Sequence, residues 1–392
     1  GGWYFAINDY IDLALRGDIF SLGSWQLKTQ STYKKRYAYH GNFSLSYSKN
    51  LLGERGLPNF EDRRDFFINW THTQDSKAHP NRRFSAKINA GSSSFNQLNS
   101  TVYNNYLKNT LTSNISYSYS WPGKPFNLST NIRHSQNTLN NALSLSLPDM
   151  AFNINRINPF ERKLASGKQK WYEKITIAYN ANAKNQIQTI DSLLFTRETI
   201  DNMRYGIQHK IPINSSFKLF KYINVSPAAN YTERWYYNRI EKSWNEDSLY
   251  IEENTVNGIR AVRDFNTSMR FNTRIFGMYS FKSKKIKALR HVISPSISFT
   301  YRPDFSDEKW GYYGSTTVDT LGNEQSYSYY SQGIFGTAPS GKSGNIRLNL
   351  DNNIEIKVRK VNDSIAEYKK IILFRSLNFT SNYNIAADSF NL

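Results

Sequence analysis

The chain has 392 residues, which is enough for two soluble domains or one large barrel. Its longest uninterrupted apolar run, Trp3 to Ile7, is far too short for a transmembrane helix. The chain has no cysteine, which excludes disulfides and thiolate metal sites. The formal net charge of +19 favours anionic partners, but no basic run or motif typical of nucleic-acid binding is present.

Alternation of apolar and polar residues runs through most of the chain and predicts β-strands. The segment 265–281 alternates over its whole length, whereas strands of soluble domains usually stop after about five or six residues and a membrane crossing needs roughly 9–11. An aromatic content of 15% is typical of the aromatic girdles at two membrane interfaces. We therefore predict an all-β fold, an antiparallel transmembrane β-barrel. The predicted strands are 3–8, 10–20, 24–34, 36–48, 64–74, 82–93, 110–121, 126–136, 142–156, 170–183, 203–213, 217–232, 262–281, 289–302, 344–358 and 369–385.

Long and short connections alternate between these strands, as they do around outer-membrane barrels. The longest are 233–261 and 303–343, and both contain segments that could form short hairpins. Pro148 suggests a turn, but a turn there would break the alternation of long and short for every later connection. We therefore expect 142–156 to be one strand with a bulge at Pro148.

The predicted polar faces are rich in Ser, Asn and Gln and also carry cations, which suits a water-filled lumen. The cations that we expect to face the lumen are Lys87, Arg133, Arg270, Arg274 and Arg347. They would provide a path for an anionic amphiphile; charge that merely hydrates a wide lumen is the alternative interpretation. Phe276 and Met278 break the pattern, since they fall on the polar face of 265–281.

No residues with the spacing of a known catalytic or metal site occur. The six histidines lack metal-ligand spacing, and no GxSxG, HExxH, P-loop or GxGxxG motif is present. His134 with its polar neighbours Ser135, Gln136 and Asn137 matches a barrel phospholipase only weakly. We predict no enzyme activity, no cofactor and no metal.

Two stretches have a distinctive order of elements: the first runs from Tyr4 to Asn50 and the second, RHVISPSISFTYRPDF, spans 290–305. The elements of the first are Tyr4–Ile7, Asn8–Asp9, Ile11–Leu15, Gly23 and Lys35–Tyr39, and those of the second are Arg290, Pro295, Phe299, Tyr301 and Pro303. Both stretches resemble the lipopolysaccharide-assembly family LptD, also called OstA.

The resemblance implies an outer-membrane protein of a Gram-negative bacterium that inserts lipopolysaccharide into the outer leaflet. It implies a barrel of about 26 strands, of which residues 1–392 would be the N-terminal part, without the periplasmic β-jellyroll and roughly ten C-terminal strands. Its implied partners are lipopolysaccharide, an LptE-like plug lipoprotein, a periplasmic lipopolysaccharide-bridge protein and membrane lipid, with no nucleic acid.

The resemblance also implies that lipid leaves through a seam between the first and last strands. Strand 3–8 is the shortest predicted here, so we expect Trp3, Phe5 and Ile7 to form the seam, and Phe276 and Met278 to contact the plug. Two alternatives stay open. One is a complete sixteen-stranded porin or solute channel, and the other is a secretion or adhesion barrel that binds its partner through loop 303–343.

Overall fold

The computed structural model describes residues 1–100, 106–107, 109–164, 167–194, 196–283, 285–359 and 368–387. These residues form twenty β-strands and two helices of one turn, Phe95–Asn99 (α1) and Arg197–Asp201 (α2). No helix in this part of the chain is long and apolar enough to cross a membrane. The strands are Gly2–Asn8 (β1), Ile11–Ile19 (β2), Trp25–Lys35 (β3), Tyr39–Leu52 (β4), Glu61–Gln74 (β5), Arg82–Gly91 (β6), Thr110–Ser120 (β7), Phe126–Asn137 (β8), Ala142–Ile157 (β9), Thr176–Ile190 (β10), Arg204–Asn214 (β11), Phe217–Leu219 (β12), Ile223–Asn245 (β13), Tyr250–Asn272 (β14), Ile275–Ser280 (β15), Ile286–Arg302 (β16), Tyr313–Thr317 (β17), Glu324–Ser328 (β18), Ser343–Arg359 (β19) and Tyr368–Asn384 (β20).

Eighteen of these strands form one antiparallel meander that follows the order of the sequence, and β17 and β18 form a separate hairpin. β12 continues β11 along the edge of β13, and β15 continues β14 along the edge of β16, so the sheet has sixteen strand positions. The predicted all-β antiparallel fold is therefore confirmed. Within the described residues β1 pairs only with β2 and β20 only with β19, so these sixteen positions do not close into a ring.

Both interruptions of the meander lie opposite a proline of the neighbouring strand. Ser215 and Thr273 donate their backbone N–H to the carbonyl oxygens of Pro227 and Pro295, at 3.0 and 3.2 Å. Proline has no N–H to return the second hydrogen bond of the pair, which weakens the ladder at that point. The prediction of one unbroken strand over 262–281 is therefore wrong, since β14 ends at Asn272 and β15 begins at Ile275.

The sheet has one apolar and one polar face, because side chains alternate along each strand and in-register partners share a face. On the apolar face, Phe271 of β14 pairs with Ile297 of β16, which pairs with Leu348 of β19. Large apolar side chains remain exposed on this face across the whole sheet, from Leu45 and Phe66 to Phe299 and Phe379. Such a surface is typical of strands that face lipid.

The expected bulge at Pro148 is confirmed. β9 runs without a turn from Ala142 to Ile157, and its pairing to β10 shifts register between Asp149 and Ser146. The chain therefore makes no turn at Pro148, and the later connections keep their alternation of long and short.

Several predicted boundaries are wrong. The single strand predicted over 217–232 is interrupted, because β12 ends at Leu219 and pairs antiparallel with β13, which begins at Ile223. β10 begins at Thr176 and ends at Ile190, because Trp171–Lys174 form a 3-10 turn and alternation continues past 183. The predicted loop 233–261 is instead the extended end of the β13–β14 hairpin, whose turn is only 246–249. The long connection between β16 and β19 does contain a short hairpin, β17–β18, as expected.

The connection 303–342, called the insertion below, folds back onto the polar face of β13 and β14. Its side chains and two from the strands form a buried apolar cluster of Tyr236, Val262, Phe305, Tyr312, Tyr330 and Ala338. The Tyr236 hydroxyl donates to the Gly336 carbonyl oxygen at 2.7 Å and accepts the Phe335 N–H at 3.1 Å. Two residues before Tyr236, Arg234 pairs with Asp264 on the polar face and donates from Nε to the Phe335 carbonyl oxygen at 3.1 Å. The insertion is thus a folded cover over one part of the polar face.

Candidate functional site: a basic cavity on the polar face

A cavity of about 680 Å³ opens on the polar face where β12 to β16 approach the edge opposite the insertion. Its volume falls within the range of roughly 300–1,000 Å³ that is usual for ligand pockets. The charged residues that line it are Lys218, Lys221, Arg270, Arg274 and Asp351, and Phe276 lies among them.

The local backbone explains how these side chains reach one cavity. Arg270 lies on the polar face of β14, and Arg274 follows in the interruption opposite Pro295. Lys218 belongs to β12, and Lys221 lies in the turn into β13 with a φ of 69°, in the left-handed region that few residues adopt outside tight turns. Two broken strand positions and one tight turn therefore bring four cations together.

The cavity carries a net positive charge. None of its four cations forms an ion pair with a described residue, whereas its carboxylate, Asp351, accepts a hydrogen bond from the Ser376 hydroxyl at 2.5 Å. Cations that lack a partner in a concave site create a potential that attracts anions. The arrangement is suited to holding phosphate or carboxylate groups.

Phe276 and Met278 lie on the polar face, as the alternation predicted. They are 61% and 75% exposed, and they pair in register with Val292 and Arg290 of β16. The Arg290 guanidinium lies 5.8 Å from the centre of the Phe276 ring. The two side chains form an uncovered apolar strip beside the basic cavity.

The other predicted lumenal cations fall into two groups. Arg347 of β19 is paired in register with Ser298 of β16, whose other partner is Arg270, so it lies close to the cavity. Lys87 and Arg133 lie far along the sheet on β6 and β8, both paired with Asn114 of β7. Arg133 also forms a salt bridge with Asp149 at 3.5 Å. The five predicted cations therefore form two separate patches.

The predicted seam residues lie on the apolar face of β1. Trp3 and Phe5 pair with Leu15 and Leu13 of β2, and with Ile7 they are among the exposed large side chains. β1 has seven residues, the fewest of the sixteen strand positions.

His134 approaches a serine, but not with the residues named from the sequence. Its Nδ1 lies 3.2 Å from the hydroxyl of Ser113, which also bonds the N–H and the carbonyl oxygen of Asn89, both at 3.0 Å. The hydroxyl thus bridges the backbones of β6 and β7 where their ladder ends, which is a structural use.

One edge of the sheet is strongly basic. The connections 158–175, 215–222 and 281–285 lie side by side there, and among their described residues nine cations face two carboxylates, Glu161 and Glu173. The nine cations are Arg162, Lys163, Lys168, Lys170, Lys174, Lys218, Lys221, Lys282 and Lys285. At the opposite edge the insertion carries five carboxylates and two lysines, and the turn 246–249 adds Glu246 and Asp247. We call the first edge the basic edge.

An antiparallel meander with an uncovered apolar face and a polar, cationic face defines the class of outer-membrane β-barrel proteins. Comparison with known families gives the particular one: a family model described as LptD protein matches residues 1–392. The chain belongs to the LptD family, which acts in lipopolysaccharide transport and assembly at the outer membrane. No curated protein matches the chain. The resemblance found in the sequence is thereby confirmed.

Reasoning from the sequence did not identify Lys218 and Lys221 as residues of the basic cavity, because it placed both inside a strand over 217–232. The signal was the segment FKLFKY at 217–222, in which two lysines stand beside three aromatic residues. It also missed the buried Arg234–Asp264 pair, since it placed Arg234 in a loop over 233–261 and Asp264 in a strand over 262–281.

Proposed function

We propose that the chain conducts lipopolysaccharide along its polar face, and that the basic cavity holds the anionic head group of the glycolipid. The supporting observation is the set of four cations, Lys218, Lys221, Arg270 and Arg274, that have no ion-pair partner among the described residues. Phosphates and acidic sugars supply the complementary charge, and charge-assisted hydrogen bonds to them are strong. The sugars would follow the polar face and the acyl chains would leave sideways.

The proposal includes an orientation and a location. The chain would lie in the outer membrane of a Gram-negative bacterium, with the basic edge towards the periplasm and the insertion outside. The seam would lie at β1 beside Trp3, Phe5 and Ile7, because a strand with few hydrogen bonds separates from its neighbour at modest cost. That residues 1–392 are the N-terminal part of a barrel of about 26 strands stays a prediction.

The proposed partners follow from the same surfaces. An LptE-like plug lipoprotein would pack on the apolar strip of Phe276 and Met278, and a periplasmic bridge protein would deliver lipopolysaccharide at the basic edge. The protein itself would carry out no covalent chemistry. Alanine at both Phe276 and Met278 should weaken plug binding, and intact binding would contradict this contact.

Charge removal tests the basic cavity. A variant with Lys218→Gln, Lys221→Gln, Arg270→Gln and Arg274→Gln should bind purified lipopolysaccharide more weakly and deliver less of it to the cell surface in pulse-labelled cells. The matched control removes four cations elsewhere, by Arg55→Gln, Arg197→Gln, Lys309→Gln and Lys342→Gln, and should behave as wild type. Equal binding by both variants would overturn the role of the cavity.

Site-specific crosslinking tests the seam. A photoreactive phenylalanine analogue at Phe5 should capture lipopolysaccharide in living cells. The same analogue at Leu45, on the apolar face of the interior strand β4, is the control. Equal capture at both positions would mean that β1 has no special role.

A further inference from the structure

A groove of about 410 Å³ lies on the apolar face and begins at the basic edge. Its centre is one in-register row across four strands: Ile213, Ala229, Thr267 and Tyr301. The small side chains of Ala229 and Thr267 form the floor, and Ile213 and Tyr301 form the two walls. Three strand spacings of about 4.8 Å give a width of roughly 14 Å between the walls.

Trp171 closes the groove at the basic edge, where a neighbouring ring and an ordered turn fix its position. Its ring lies 6.5 Å from that of Phe217, centre to centre. It begins a 3-10 turn whose Glu173 is only 1% exposed; this carboxylate pairs with Arg162 and accepts the Lys170 N–H at 2.6 Å. Glu173 is engaged by Arg162, and the neighbouring Lys174 has no carboxylate partner among the described residues.

A polar cavity of about 400 Å³ lies at the basic edge on the other, polar face of the same strands. The two share Asn214, Ser215, Pro227 and Ala228 as a common wall. Arg156, Lys174 and the Arg162-paired Glu173 line the polar cavity, and neither Arg156 nor Lys174 forms an ion pair with a described residue. An apolar groove and two available cations thus lie at the same edge of these strands, one on each face.

We propose that this groove and the adjoining cavity form a binding site for an anionic phospholipid, distinct from the path of the transported glycolipid. An acyl chain fills the groove, since a depression in a lipid-facing wall is filled by hydrocarbon at no desolvation cost. The phosphate of the head group binds Arg156 and Lys174, which supply the complementary charge. The choice of phospholipid rests on the proposed orientation, in which the basic edge meets the inner, phospholipid-bearing leaflet. Such a lipid would fix the depth of the barrel in the membrane at that edge.

The test measures binding of phosphatidylglycerol and of phosphatidylcholine with the same chains to the purified protein, by native mass spectrometry. Phosphatidylglycerol should bind more tightly to the wild type. Replacing both cations, by Arg156→Gln and Lys174→Gln, should weaken it about thirty-fold, which corresponds to about 1 kcal/mol for each cation near the surface. Binding of phosphatidylcholine should not change.

A second pair of variants tests the groove. Ala229→Phe fills the floor and should weaken both lipids, whereas Ala181→Phe, on the same face of β10, should weaken neither. Trp171→Ala removes the closing wall and gives the same test should Ala229→Phe fail to fold.

Two outcomes would overturn the proposal. One is equal binding of the two lipids to the wild type. The other is displacement of phosphatidylglycerol by lipopolysaccharide with the same sensitivity to Arg156→Gln and Lys174→Gln, which would assign the site to the cargo. The four-cation variant of the basic cavity separates the two proposals, because it should lose lipopolysaccharide and keep phosphatidylglycerol.

Discussion

Arg270 of β14 and Arg347 of β19 lie on one row of the sheet, each paired in register with Ser298 of β16 between them. Two strand spacings separate their backbones by about 10 Å. Both face the polar side, so a ligand with two anionic groups can reach both cations at once.

The single variants Arg270→Gln and Arg347→Gln should each weaken binding of lipopolysaccharide about fivefold, the equivalent of about 1 kcal/mol per cation. The double variant should weaken it by roughly the product. The assay is equilibrium binding to the purified protein at several salt concentrations, because screening should reduce the effect. Ser298→Ala changes the residue between them without changing charge and is the control. A double variant no weaker than either single one would show that the two cations do not act on the same ligand.

Phe305→Ala should release the insertion from the polar face. Phe305 is fully buried in the cluster with Tyr236 and Val262, and truncation of a buried phenylalanine costs about 3–5 kcal/mol. Limited proteolysis of the insertion should speed up about a hundredfold or more, with the sheet intact. Leu321→Ala is the control, since Leu321 is 86% exposed in the same segment. Unchanged protection in Phe305→Ala would mean that other contacts hold the cover.

Gly41→Ala should destabilise the start of the sheet. A Cβ at Gly41 would clash with the Thr71 carbonyl oxygen and with the Tyr33 hydroxyl oxygen. Because one of these atoms is backbone, the strands must shift, and such overpacking costs about 1–3 kcal/mol. The thermal unfolding temperature in detergent should fall. Gly17→Ala in β2 is the matched change, because its Cβ would meet only Leu27 Cδ2, at 3.5 Å, and should leave that temperature nearly unaltered.

Acid should loosen the connection 158–175. The hydrogen bond from Arg162, followed by that from the Lys170 N–H, lowers the pKa of Glu173 below its ordinary value of 4.5. A carboxylate with a lowered pKa in the folded state contributes stability above the unfolded value, and the contribution is lost as the pH falls through the folded value. The fluorescence of Trp171 should therefore change below about pH 4.5. Glu173→Gln should remove this step, and a step that persists in that variant would point to another group.

The period of two predicted much of the sheet because the faces of this fold differ so strongly. Where one face meets lipid and the other water, as at Phe271 and Arg270, alternation has a physical cause and every strand position shows it. The same reasoning placed Phe276 and Met278 on the polar face, where the structure has them.

Alternation failed where the environment is no longer two-sided. The end of the β13–β14 hairpin, around Lys242 and Glu253, carries charge on both strands, and these two residues form a salt bridge at 2.7 Å. Polar residues on both faces leave no period to detect. The interruptions opposite Pro227 and Pro295 were also not predicted, because they require knowledge of which residues face each other across two strands.

β13 and β14 are each 23 residues long, whereas a bilayer crossing uses roughly 9–11 residues. About a dozen residues of each strand, or ~40 Å of strand length, therefore continue past the membrane on the side of the insertion. The insertion packs on this extended hairpin. With the basic edge in the periplasm, the cell surface would therefore carry one rigid folded projection and not a set of loose loops. A phage or an antibody that approaches from outside would meet one fixed shape, and a binder raised against a linear peptide of the insertion should fail to recognise the native protein.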